Sequence, residues 1–87
     1  MQTIYKYPLE ITDEQEIRIH KRFKPLHIGI DGKNQLCLWA MVDTKCRKKS
    51  CTIYVDGTGK TLPDVEMDYI GSAKDCLVCV WHVFIGK

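Results

Sequence analysis

Apolar residues recur along this chain at every second position, in short runs separated by residues that favour turns. That is the period of a strand and not of a helix. The first run spans Thr3 to Leu9, with Ile4 alternating against Tyr5 and Tyr7, and Pro8 places its end at a sheet edge. Thr12 to Glu16 is polar and reads as a turn, or as one helical turn capped by Thr12. Glu16 to His20 alternates again through Ile17 and Ile19. After a basic loop, Lys21-Arg22-Phe23-Lys24, comes a run with Leu26, Ile28 and Ile30 on one face and His27, Gly29 and Asp31 on the other. Asp31-Gly32-Lys33-Asn34 is the strongest hairpin signal, since Asp-Gly tolerates the positive φ of a tight turn.

Gln35 to Asp43 is apolar on both faces. Leu36, Leu38, Ala40 and Val42 share one, and Cys37, Trp39 and Met41 share the other. Such a strand is central in its sheet, or its second face meets a partner or a second copy of the chain. A second basic loop, Thr44 to Ser50, leads into a strand from Cys51 to Asp56. Gly57-Thr58-Gly59-Lys60 turns the chain, Thr61 to Asp68 is irregular, and Tyr69 to Ala73 and Cys76 to Ile85 close the series. The expectation is all-β: one domain over 1–87, a small meandering antiparallel barrel or sandwich of about seven short strands.

With 87 residues, 45% of them apolar and 28% charged, the chain is an ordinary globular composition with a thin core. A formal charge of +2 does not by itself force a nucleic-acid reading. The N-terminal stretch Met1 to Pro8 lacks the apolar core of a secretory leader, and no apolar run is long enough for a membrane helix, so the expected location is the cytoplasm.

Little in the sequence carries chemistry. Cys46 and Cys51, with Cys76 and Cys79, suggest two halves of a structural zinc site. Residues three apart on a strand point to opposite faces, which weighs against a Cys76–Cys79 knuckle and favours buried small hydrophobes. No nucleophile motif surrounds any cysteine, and His20, His27 and His82 read as structural. Gly57-Thr58-Gly59-Lys60 has neither the glycine spacing nor the following helix of a phosphate-binding loop. What remains is charge. Arg18, Lys21, Arg22 and Lys24 crowd one segment around Phe23, and Arg47, Lys48 and Lys49 follow Lys45 in another. Such segments dock onto acidic protein surfaces or track phosphates.

Several blocks taken together resemble a family of short proteins encoded mostly by bacteriophages and prophages. They are Thr3-Ile4-Tyr5-Lys6-Tyr7-Pro8-Leu9 with Thr12-Asp13, then Cys37-Leu38-Trp39-Ala40-Met41-Val42-Asp43, then Tyr54 with Gly57-Thr58-Gly59 and Leu62-Pro63, and finally Tyr69-Ile70-Gly71 and Trp81-His82-Val83-Phe84. The resemblance implies a phage origin and a bacterial host cytoplasm, and it brings no enzymatic activity and no cofactor. The chain departs from that pattern at its loops. His20 to Lys24 stands where the family has a small Pro/Gly turn, Lys60 stands where the family has His, and Lys45 to Ser50 is unusually basic. A retained frame with altered loops is the mark of a binding protein adapted to one partner.

The leading expectation is therefore a non-enzymatic phage protein that binds and inhibits a bacterial host protein, for instance a defence component such as a CRISPR–Cas effector. Contact is expected through Arg18, Lys21, Arg22, Phe23, Lys24, Arg47, Lys48 and Lys49. The alternatives are a nucleic-acid or nucleotide binder using the same loops, and a zinc-stapled interaction domain. A homodimer through the Cys37–Trp39–Met41 face is a further expectation.

Overall fold

Seven strands form where the alternation predicts them: β1 (Gln2–Pro8), β2 (Gln15–His20), β3 (Phe23–Ile30), β4 (Leu36–Asp43), β5 (Lys48–Gly57), β6 (Met67–Lys74) and β7 (Val80–Gly86). The structure is a computed structural model, and it describes residues 1–75 and 79–87. The beginning of the last predicted run, at Cys76, lies outside the described residues. No helix occurs among the described residues, so none is long and apolar enough to cross a membrane.

The strands make two antiparallel sheets, ordered β1-β4-β3 and β2-β5-β7-β6, which are not closed into a barrel. β4, apolar on both faces, is the centre of the first sheet, and Pro8 ends an edge strand. Leu36, Leu38, Ala40 and Val42 of β4 enter the core, where they join Ile19 of β2, Ile28 of β3, Ile53 and Val55 of β5, and Val83 of β7. Leu9, just beyond β1, closes one end of this layer at 1% exposure.

Two bulges shape the contact between the edge strands β3 and β6. The β3–β4 register shifts between Pro25 and His27, so Leu26 is the extra residue and is left 45% exposed. This breaks the predicted single face of Leu26, Ile28 and Ile30. The β6–β7 register shifts in the same way between Tyr69 and Gly71. Gly71 lies against Ile28 so closely that a Cβ there would stand 2.7 Å from Ile28 Cγ1. A glycine is what lets the two edges approach.

Both basic loops are shorter than the charge pattern suggests. β3 already starts at Phe23 and β5 at Lys48, which leaves Lys21-Arg22 and Thr44 to Arg47 as the turns. Pro25 is no obstacle because β3 is an edge strand, where a missing N–H goes unnoticed. The Asp31–Asn34 hairpin is present. Its positive φ falls on Asn34 (61°) instead of Gly32, after a turn closed by the Asn34 N–H donating to the Asp31 carbonyl at 3.0 Å. The Asp31 carboxylate accepts from the N–H groups of Lys33 (2.8 Å) and Gln35 (3.0 Å) and pairs with Lys6 (3.2 Å).

Candidate functional site

The two basic turns meet. Lys21 N–H donates to the Arg47 carbonyl at 2.7 Å, and Asp43 N–H donates to the Arg22 carbonyl at 3.1 Å. Antiparallel pairing of His20 with Lys48, Ile19 with Lys49 and Arg18 with Ser50 carries the same neighbourhood into the β2–β5 ladder. His20, buried beneath, uses Nδ1 to reach the Cys46 carbonyl at 2.7 Å, tying the β4–β5 turn to the end of β2. The carbonyl accepts, so His20 carries its proton on Nδ1 and acts as a structural fastener.

Arg18, Lys21, Arg22, Lys24, Lys45, Arg47, Lys48 and Lys49 are all exposed. None forms an ion pair with a described residue. These are eight of the thirteen lysines and arginines, so the rest of the chain, with five cations against eleven acids, carries a formal charge of −6. The small net charge conceals a local concentration of cations. Phe23 is placed differently from the cations around it. It is half-buried against the core, with the Lys49 ammonium 5.8 Å above its ring, a cation–π distance.

The zinc grouping is not assembled among the described residues. Cys51 is buried opposite Ile17 near the basic end, and Cys46 sits in the β4–β5 turn. Cys79 lies before β7 at the far end, since Trp81 pairs with Gly57. At ~3.3 Å per strand residue, Cys51 and Cys79 are about 25 Å apart. Cys76 lies outside the described residues. Burial pushes the Cys51 thiol pKa up, and the same holds for Cys37, which is fully buried. The proposed self-association face is partly covered by the chain itself: Cys37 is enclosed, and Trp39 lies half-buried against His27, ring centres 5.5 Å apart. Met41 is half-buried beside Ile4, its partner in register, which is 58% exposed.

A second polar assembly, on the outer face of the β5-β7-β6 part of the sheet, escaped the sequence reading. Tyr69 Oη meets Ser72 Oγ at 2.6 Å, Ser72 Oγ meets His82 Nδ1 at 2.7 Å, and His82 Nε2 meets Thr58 Oγ1 at 2.8 Å. Ser72 and His82 are partners in register, so the sheet itself sets their spacing. The Ser–His distance would suit a nucleophile and base, but Ser72 meets Nδ1, the nitrogen a triad gives to its carboxylate, and the other nitrogen, Nε2, meets the Thr58 hydroxyl. Thr58 belongs to the Gly57–Lys60 turn, closed by the Lys60 N–H on the Gly57 carbonyl at 3.2 Å. Gly59 takes φ +88°, the third position of a type II turn. Beside it, Asp56 is buried, and its Oδ2 has no hydrogen-bond partner among the described residues. Lys60 pairs with Asp13 and stands 3.7 Å from Asp56 Oδ1. Alternation alone could have flagged Asp56 and His82, which share the outer face with Tyr54 and Phe84. The hydroxyl partners of His82 come from the Gly57–Lys60 turn and from the neighbouring strand β6.

A family model described as a domain of unknown function, DUF7352, matches residues 1–87. No curated protein and no solved structure matches the chain.

Proposed function

The chain belongs to the DUF7352 family along residues 1–87, and from that premise we propose that it is a non-enzymatic binding protein of bacteriophage origin whose basic end docks on an acidic surface of a bacterial host protein and inhibits it in the host cytoplasm. One observation carries the reading: both basic turns, separate in sequence, are hydrogen-bonded together into a single cationic end whose charges form no ion pair among the described residues. Cations left unpaired on a rigid frame speed encounter with a surface of opposite sign and fix its orientation.

The same end also attracts phosphates, and the position of Phe23 favours protein over nucleic acid. Single-stranded binders stack bases on open aromatic faces. Phe23, the aromatic among these cations, is half-buried below Lys49. A defence component such as a CRISPR–Cas effector is the kind of host target that fits an inhibitor of this size. The test is capture on the immobilised protein from nuclease-treated bacterial lysate, alongside binding of labelled DNA, RNA and cyclic nucleotides. A stoichiometric host protein that elutes with salt is expected. Salt-sensitive retention of nucleic acid with no protein captured would transfer the site to the nucleic-acid reading.

A further inference from the structure

The Asp56 cleft lies near the opposite end of β5 from the basic turns. Asp56 is 2% exposed, and its Oδ2 has no hydrogen-bond partner among the described residues. A buried carboxylate oxygen without a donor is costly, and such groups in folded proteins call for an explanation. Lys60 does not supply one. Its ammonium, 3.7 Å from Oδ1, is beyond hydrogen-bonding reach and is engaged with Asp13. Asp56 thus has a neighbouring charge and an unused acceptor.

Around it is a cleft of about 190 Å³ between β5, the segment before β2 and the strap after Gly57. Asp13, Glu14 and Asp56 give it three carboxylates against the single ammonium of Lys60, while Tyr54 and Leu62 give it apolar walls. A second cleft of about 220 Å³, which includes His82 and Phe84, shares Asp56, Lys60 and Leu62 with the first. The occupant that answers this arrangement is a cation with several N–H donors, a flat head and an alkyl stem.

We propose that the Asp56 cleft binds an alkylguanidinium group, either of a free small molecule or of an arginine side chain. A guanidinium is more weakly hydrated than an ammonium, so it enters a buried carboxylate site at less cost. Its planar fork donates to Asp56 Oδ2 while its other N–H groups reach the rim carboxylates. Tyr54 and Leu62 cover the stem. This site is separate from the basic end and does not depend on what that end binds.

The experiment is titration of the intact protein with agmatine, followed by amide chemical shifts, with 1,4-diaminobutane, which has the same stem and double positive charge, as the ammonium comparator and a Gly-Arg-Gly peptide as the side-chain arm. Agmatine is expected to bind saturably with a dissociation constant of about 1 mM at low salt, and more tightly than 1,4-diaminobutane. Shifts are expected to centre on Tyr54, Asp56 and Leu62. Binding of both agmatine and the peptide points to an arginine side chain as the source; binding of agmatine alone points to a small molecule. Asp56→Asn, which keeps the shape, is expected to weaken binding about tenfold. Asp13→Asn removes an exposed charge without touching the core, so it remains informative if Asp56→Asn does not fold; it too is expected to weaken binding. Reversing charge at Lys21 and Arg22 is expected to leave agmatine affinity unchanged. No saturable shift in the wild-type protein, equal affinity for 1,4-diaminobutane, or undiminished binding by a folded Asp56→Asn variant would each overturn the proposal.

Discussion

Asp31 shows how much one side chain does in a chain this short. Its carboxylate organises the β3–β4 turn, and the N–H groups of Gln35 and then Lys33, helped by Lys6, hold its pKa down to about 2. A folded pKa below the ordinary value means that the unfolded chain takes up the proton first. The stabilisation is complete above about pH 4 and drains away as pH falls through about 2. Asp31→Asn is therefore expected to lower the thermal midpoint at pH 7 and to flatten the loss of stability between pH 4 and pH 2. Circular dichroism melts across that range check both. Gly71 is sensitive for a different reason. A Cβ there would stand 2.7 Å and 2.9 Å from Ile28 side-chain carbons, with the Ile28 backbone nitrogen at 3.6 Å. Gly71→Ala is expected to cost about 1–3 kcal/mol in denaturant unfolding, the usual range for an overfilled contact.

β5 is the element on which the rest depends. It bonds to β2 on one side and to β7 on the other, fills the core with Ile53 and Val55, and shows Tyr54 and Asp56 on its outer face. Truncating Ile53, which is fully buried, to Ala is expected to cost about 2–5 kcal/mol by chemical denaturation. That is a large fraction of the stability of so small a domain. The strands of this frame were legible in the sequence because period-two patterning survives any topology: β4 announced itself as central through two apolar faces, and β1 as an edge through Pro8. The bulges at Leu26 and Ile70 were not legible. They arise where β3 and β6 approach each other, a long-range contact that no local pattern records. The same holds for the Tyr69–Ser72–His82–Thr58 chain, assembled across β6, β7 and a turn. The basic residues were readable one by one, but their convergence required the Lys21–Arg47 bond between turns that lie 26 positions apart.

At the scale of the whole molecule, cations are concentrated around the paired basic turns. One end gathers eight exposed cations, and the remainder carries −6. Binding through the cationic end is expected to weaken steeply with added salt, because exposed charges lose reach as the screening length shrinks to about 8 Å at physiological ionic strength. The frame beneath it is held by apolar burial and ladder bonds, so charge changes there are expected to leave folding nearly intact, within about 0.5 kcal/mol per site. This separation of binding from folding makes the central claim directly testable. The decisive measurement is parallel capture from one nuclease-treated bacterial lysate on the wild-type chain and on a folded variant carrying Lys21→Glu, Arg22→Glu, Arg47→Glu and Lys48→Glu. The expected result is a stoichiometric host protein on the wild-type chain that is absent from the variant. The same protein held equally by both chains, or none held by either, would contradict it.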